Sequence, residues 1–439
     1  MKHPLFVLIV LVATIIPRSG KAGDTLQVSE AIAVALENNF KITLAENEKQ
    51  VAAVNNTIGA AGMLPQLGLT GSRSRSVNNT RQEYFDGRLR EAKDAGTTSK
   101  SAGLQLTWTV FDGLNMFIQK DKLNELENLS DIQLRSVVEN TVSQVLGTYY
   151  EIVAQEALRE VYRNALRISG DRRRFAKAKF DLGSGSELAL LQATVDLNSD
   201  SANFIRQTSL INNLKSELNL LMCRELDQPV VVAEKIPVKK DLVYQDLLQK
   251  LQNQNPDLLT ARNAISLASL AVKELKSQQL PRINLNSSYN YSQSKSDVGL
   301  LTSNRNYGYT VGLSLSYNIF DGFTNRQKIS AARINMESAR VQLENAKMET
   351  EAGLKQVYND YQTNLKLVDF ETKSLDFARH NFAVASEKYR LGSLNDIEFR
   401  ETQAKLMEAE NRLLSALYRC MLAETELLRL SGQLSASTE

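Results

Sequence analysis

Enzymatic or metal chemistry needs nucleophiles, imidazoles or thiolates in groups, and this chain supplies few of them. Its 439 residues include two cysteines, Cys223 and Cys420, and two histidines, His3 and His380. A zinc site needs at least three such ligands, and a catalytic triad needs a histidine beside its nucleophile. Gly183-Ser184-Gly185-Ser186 resembles a nucleophile elbow by composition only, and no phosphate-binding loop occurs. Two cysteines exclude a disulfide framework and leave one bridge or two thiols. Each lies on an apolar helical stretch, which favours two buried free thiols. No catalytic residue, cofactor or metal site is assigned. The chain reads as a protein that is not an enzyme.

The N-terminus reads as a removable address. Lys2 and His3 precede an apolar run from Leu5 to Ile16, followed by Pro17 and Ser19-Gly20-Lys21-Ala22. That is the order of a secretory signal peptide, and the run is shorter than the ~20 residues a membrane-spanning helix needs. A cut near Ala22 makes residues 1–22 the signal peptide and leaves His380 as the single histidine. No cysteine follows the run, which argues against a lipid-anchored terminus. Losing Lys2, Arg18 and Lys21 from 52 basic residues leaves 49 against 50 acidic ones. A neutral chain of this kind has no electrostatic footprint for nucleic acid.

The elements that fill the rest occur twice. Phe111-Asp112-Gly113 returns as Phe320-Asp321-Gly322, and Leu182-Gly183-Ser184 as Leu391-Gly392-Ser393, both 209 residues on. Leu64-Pro65 returns as Leu280-Pro281, and Asn39 as Asn255, both at 216. Repeats of this kind mark two copies of one architectural unit. The predicted layout is a first repeat at 23–223, with a strand pair over 65–111 and a helical hairpin over 114–223. A linker follows at 224–243, with a short strand expected at Val230 to Ala233. The second repeat covers 244–432, with a strand pair over 281–320 and a hairpin over 323–430, and 433–439 form a tail. The second copy should open with one helix from Tyr244 to Gln279.

The strands alternate strictly. Ile283, Leu285, Tyr289 and Tyr291 interleave with Arg282, Asn284, Asn286, Ser288 and Asn290; Tyr309, Val311, Leu313, Leu315 and Tyr317 interleave with Thr310, Gly312, Ser314, Ser316 and Asn318. Leu104, Leu106, Trp108 and Val110 do the same against Gln105, Thr107 and Thr109. Period two means a strand with one buried face. A length near ten residues, an uncharged polar face and aromatics at the ends suit membrane-spanning barrel strands. The charged stretch from Arg81 to Lys100 is expected as a loop in water. Four strands cannot close a barrel alone, and an open edge cannot persist in hydrocarbon. Three chains would supply twelve strands and room for a lumen.

After each Phe-Asp-Gly a helical pattern runs about seventy residues without proline, from Leu114 to Leu182 and from Phe323 to Leu391. At 1.5 Å per residue each is a rod of roughly 100 Å. Val138, Val142, Val145, Tyr149 and Ile152, then Leu375, Ala378, Phe382, Ala385 and Tyr389, form narrow apolar seams that demand helical partners. Charges between them, such as Arg172, Arg173 and Arg174, read as a solvated face. Shorter helices return from Glu187 to Met222 and from Asp396 to Leu430.

This layout resembles the TolC-type outer-membrane efflux proteins over nearly the whole mature chain: the twofold repeat, Leu-Pro before the up strand, Phe-Asp-Gly after the down strand, and the Leu-Gly-Ser tips. The resemblance implies a mainly α fold with transmembrane β: a homotrimer with a twelve-stranded barrel in outer-membrane lipid above a long α-helical barrel in the periplasm, closed at its tip. It implies a passive duct, serving an inner-membrane pump through a periplasmic adaptor (membrane fusion) protein in tripartite efflux or type I secretion. It also implies acidic rings at the second tip, and counting from Gly392 places them on Glu398 and Glu401. Carboxylates in a helix's first turns also suit the helix dipole, so both readings stand. Asp396 reads as a cap. Tyr389 matches a family tyrosine that ties the closed tip to an acid on the neighbouring hairpin, but Ala189 occupies the acid's position and Leu394 a basic one. The closed state must then be held differently or more weakly. Gly183, Ser184, Gly392, Ser393 and Tyr389 are the implied tip contacts for the adaptor. The alternative is a periplasmic helical-hairpin scaffold without a pore.

Overall fold

A computed structural model of the chain describes residues 25–232, 235–238, 241–299 and 301–434. The predicted signal peptide, Ala233 and the end of the tail lie outside the described residues. Each repeat opens with two helices rather than one: α1 (Val28–Asn38) and α2 (Phe40–Asn55), then, after the linker, α5 (Tyr244–Gln254) and α6 (Pro256–Ser277). The breaks fall on the two asparagines that match at an offset of 216. Asn39 (ψ 121°) and Asn255 (ψ 124°) are extended, and their side chains accept from Lys41 N–H at 2.9 Å and Asp257 N–H at 2.9 Å. Each Nδ2 then donates to the end of the returning helix, at Leu221 O (2.8 Å) and Leu430 O (3.0 Å). The single helix expected from Tyr244 to Gln279 is thus divided. An asparagine cap followed by Pro256 at the first helical position is a start signal inside the run.

The strands are β1 (Gln66–Glu83), β2 (Leu89–Phe111), β3 (Arg282–Ser296) and β4 (Ser303–Ser316), in the antiparallel order β1-β2-β3-β4. The β2–β3 pairing joins the two repeats, and β1 and β4 are free edges. Most of the Arg81–Lys100 stretch, expected as a loop, is a continuation of the β1–β2 hairpin. Arg81 faces Glu91 across the ribbon, and the turn itself is only Tyr84–Arg88. Backbone pairing needs no apolar side chains, so a charged ribbon continues the ladder beyond the alternating part of the strands.

The rods are α3 (Asn115–Asp181) and α7 (Thr324–Arg390), each 67 residues, returning as α4 (Glu187–Leu221) and α8 (Asp396–Leu430). The repeated Phe-Asp-Gly is a strand-to-helix corner. Asp112 Oδ1 accepts from Met116 N–H at 3.2 Å and Asp321 Oδ2 from Asn325 N–H at 2.8 Å. Gly113 and Leu114 both have positive φ (72° and 70°), and a Cβ on Gly113 would lie 2.3 Å from Ser277 O. No other residue fits there without shifting the corner. The linker carries no strand among its described residues; it is tied down by bonds such as Leu26 N–H to Val231 O at 2.8 Å and Asn219 Nδ2 to Gln228 O at 2.8 Å.

Two matching cores lie where rods, return helices and opening helices meet. Val145, Ile152 and Leu218 in the first correspond to Leu354, Tyr361 and Leu427 in the second, all fully buried. Both cysteines are free thiols. Cys420 sits inside the second core, and burial, then Glu424, push its thiol up to about 11. A raised thiol pKa means less thiolate at neutral pH, hence slow reaction. Maleimide at neutral pH should therefore leave Cys420 unmodified in the folded protein and label it after denaturation, read by peptide mass mapping. Native labelling at the rate of a free thiol would contradict this packing.

Candidate functional site

The sheet and the hairpin tips are the two functional regions. Register sorts the sheet into two faces. One carries Leu67, Leu69, Leu104, Leu106, Trp108, Leu285, Tyr289, Tyr291, Tyr309, Val311 and Leu313. The other carries only small or uncharged polar groups over the same span, bonded across strands: Ser72 Oγ–Ser101 Oγ 2.8 Å, Thr109 Oγ1 to Asn284 Oδ1 3.0 Å, Asn286 Nδ2 to Ser314 Oγ 3.1 Å. A sheet apolar on one side and wet on the other fits the wall of an aqueous pore in lipid.

At the tips, Gly183 (φ 74°) and Gly392 (φ 76°) end the rods in paired Schellman turns. Ser184 N–H reaches Lys179 O (2.9 Å) and Gly183 N–H reaches Phe180 O (2.9 Å); Ser393 N–H reaches Lys388 O (3.0 Å) and Gly392 N–H reaches Tyr389 O (3.1 Å). Ser186 and Asn395 cap the return helices, accepting from Ala189 N–H at 3.2 Å and Glu398 N–H at 2.8 Å. Asp396 is therefore not the cap that its position suggested.

Asp396 instead joins a polar network between the two hairpins. Arg172 of α3 is 3 % exposed; its Nη1 donates to Asp196 Oδ2 of α4 at 3.0 Å, its Nε to Asp396 Oδ1 of α8 at 3.2 Å, and its Nη2 to Asp396 Oδ2. Tyr389 Oη of α7 donates to the same Asp396 Oδ1 at 2.8 Å. One turn deeper, Arg400 of α8 binds both oxygens of Asp200 on α4 at 2.8 Å, and Ser169 Oγ of α3 donates to Asp200 Oδ2. The guanidinium fork makes such bidentate bonds directional as well as strong. Burial opposes the Arg172 charge, but Asp396 and Asp196 outweigh it and raise its pKa. Burial, then the Asp396 bond, raises that of Tyr389, keeping its hydroxyl a donor. Tyr389 also stacks on Phe399 at 4.4 Å, and Phe399 meets Phe382 at 5.7 Å.

The expectation of a solvated Arg172-Arg173-Arg174 face holds for Arg173 and Arg174, which are exposed, but Arg172 is buried. The arginine turns inward because α8 supplies a carboxylate opposite it. Arg172 lies eleven residues inside Gly183, and Asp396 four residues past Gly392. At 1.5 Å per residue the second tip therefore ends roughly 10–15 Å short of the first. Of the residues implied by resemblance, Gly183, Ser184, Gly392 and Ser393 are exposed at the turns, while Tyr389 is half-buried with internal partners. Glu398 is exposed, with no ion pair among the described residues; Glu401 pairs with Lys405 at 2.7 Å, whose ammonium lowers its pKa. Asp196, Asp200 and Arg400 were not among the residues read from sequence, and Arg172 was read there only as part of a solvated face. Their signal was Ser169/Arg172, Asp196/Asp200 and Asp396/Arg400 at spacings of three and four, which put like polarity on one helix face.

A sequence model of the outer membrane efflux protein family matches residues 31–222 and 247–433. The chain belongs to that family. Among its relatives is the alkaline protease secretion protein AprF of Pseudomonas aeruginosa, 23 % identical over 411 residues, covering 91 % of this chain and 83 % of that one. Outer membrane protein TolC of Vibrio cholerae is 19 % identical, covering 91 % and 89 %. The crystal structure of the Campylobacter jejuni CmeC outer membrane channel superposes with a TM-score of 0.77 at 16 % identity, covering 92 % and 85 %. This efflux protein is an outer-membrane channel protein of the TolC type, not an enzyme. The reading as a poreless periplasmic scaffold is set aside.

Proposed function

We propose that three copies of this chain close into one duct, with a twelve-stranded barrel in the outer membrane and the rods forming a helical tunnel across the periplasm. The observation that carries this reading is the sheet: a lipid-like face, a wet face, and two unpaired edges that hydrocarbon does not tolerate. Only further copies can cover β1 and β4 while keeping the polar face toward water. The duct takes cargo passively from an inner-membrane pump through a periplasmic adaptor that meets the exposed turns at Gly183–Ser184 and Gly392–Ser393. A protease secretion protein stands among the relatives beside efflux channels, so the duct serves type I secretion or efflux and the pump selects the cargo.

The network around Arg172 and Arg400 holds the closed tip. It ties the second hairpin to the first within one protomer, a different fastening from the tyrosine link to an acid at position 189, where this chain has Ala189. Glu398 and Glu401 supply the acidic rings, brought together by threefold symmetry to favour cations. Glu398 contributes more, because Lys405 already balances Glu401.

Single-channel current from the purified protein in a planar bilayer tests both statements. Small cation-selective steps are expected. Replacing Glu398 and Glu401 together with Ala should weaken cation preference and block by divalent ions, with Glu398→Ala giving most of the change. Unaltered selectivity in the double variant would remove the acidic rings and leave the duct standing. Protein that fails to insert at all would count against the duct.

A further inference from the structure

Above the apolar band, the lipid-side face of the sheet changes character within two adjacent levels on every strand. Following the register away from the helices, β1 reads Leu67, Leu69, Gly71, then Arg73 and Arg75; β2 reads Leu106, Leu104, Ala102, then Lys100. β3 reads Leu285, Ser287, Tyr289, Tyr291, Gln293, then Lys295; β4 reads Val311, Tyr309, Tyr307, then Arg305. Lys100 lies opposite Arg73 and Gln293, and Gln293 opposite Arg305. Five cations thus occupy two successive levels at the sheet end away from the rods: Arg73, Lys100 and Arg305 next to Tyr291 and Tyr307, and Arg75 and Lys295 one level beyond.

Arg73, Arg75, Lys100 and Lys295 line a shared cleft of about 360 Å³ with Thr98, Gln293 and Asp297. Asp297, its one carboxylate, is engaged by Gly96 N–H at 3.0 Å. All five cations are exposed, and none has an ion pair among the described residues. The ribbon beyond them differs: there charges of both signs pair, as Arg81–Glu91 (3.2 Å) and Arg88–Asp86 (2.7 Å). A solvated surface has no reason to gather one sign on the face that meets lipid. Unpaired cations at the rim of an apolar band are placed to meet anionic headgroups.

We propose that Arg73, Arg75, Lys100, Lys295 and Arg305 bind the phosphate groups of the acylated glycolipid of the outer leaflet. The apolar band and tyrosine girdle below take its acyl chains, and the guanidinium forks of the arginines bind phosphate oxygens in pairs. The belt fixes the depth of the barrel. It rests on the reading that this face meets lipid.

The test titrates the purified full-length protein in detergent with bis-phosphorylated lipid A and counts bound lipid by native mass spectrometry. Wild type should bind it, and raised salt or removal of the phosphates should abolish binding. Replacing all five cations with Gln should weaken it about tenfold or more, given how strongly each basic side chain is drawn to an anionic surface. The milder Lys100→Gln/Lys295→Gln pair should lose part of it, which covers the case that the fivefold variant does not fold. Equal binding by wild type and both variants, or by lipid with and without phosphate, would overturn the belt. Equally tight competition by inorganic phosphate would overturn the lipid as its ligand. Quenching of Trp108, the single tryptophan, by brominated acyl chains reports embedding separately. Quenching without selective binding removes the belt alone; no quenching removes the lipid-facing reading beneath it.

Discussion

Replacing Arg172 with Ala should open the periplasmic tip, giving larger single-channel conductance and longer open times than wild type. The residue is 3 % exposed and bridges three helices, through Asp196 on α4 and Asp396 on α8. Its loss leaves Asp196 with Arg400 alone, at 3.9 Å, and Asp396 without a cation among the described residues. Those carboxylates are 22 % and 33 % exposed, so water softens the cost. About 2 kcal/mol per protomer is a fair expectation for polar groups left unpaired at partial burial. That corresponds to a factor of about 30 in the ratio of closed to open hairpin positions. Arg172→Lys keeps the charge and loses the fork, so its conductance should fall between the two. Conductance equal to wild type in Arg172→Ala would show that the tip is held elsewhere. The second tie, Arg400 to Asp200, would then be the first suspect, because Asp200 is 1 % exposed and accepts from Ser169 as well.

The second large effect separates the two faces of the sheet by one residue. Val311 stands at the middle of the apolar run on β4, while Thr310 points to the wet face opposite Ser288. Val311→Arg places a guanidinium at mid-membrane depth on the lipid side, where barrels lose about 2–4 kcal/mol per chain. Summed over three chains, that should prevent stable insertion, read as loss of heat-modifiable trimer in the outer-membrane fraction. Thr310→Arg should insert normally and instead reduce cation conductance. Equal insertion of both variants would refute the assignment of faces, whatever the number of chains in the barrel.

Much of this architecture was readable because it follows from local rules. The twofold repeat, the four strands and the rods each have a period that recurs within a few residues. Val142 and Val145 on the first rod, Leu375 on the second, and the alternation around Tyr289 and Val311 all lie on the faces their spacing predicts. The corners were visible as repeated Phe-Asp-Gly, although not that Asp112 and Asp321 cap the helices that follow. Besides the strand expected at Val230 to Ala233, which the described linker residues do not form, two elements were misjudged for physical reasons. Asn255-Pro256 divides an apparently continuous helix, because a side-chain cap competes with the run around it. The charged stretch between Arg81 and Lys100 pairs as strands, because a ladder is made by backbone groups that composition does not report.

The tip shows where residue order stops being informative. Counting from the tip glycines places Glu398, Glu401 and Tyr389, but counting assumes that the two hairpins sit level. They do not: Arg172 meets Asp396, and Asp200 meets Arg400, with the second hairpin drawn back along the first. That sliding is a property of how two apolar seams pack, summed over many contacts along each rod, and no short motif encodes it. Arg172, Arg173 and Arg174 are identical in type and adjacent in the chain, yet only the first is buried. The amino-acid order settled the repeat, the rods and the two faces of the sheet, because each depends on neighbours a few residues away. Packing alone settled which charges are partners, because an ion pair across the two hairpins depends on the register between segments 200 and 224 residues apart.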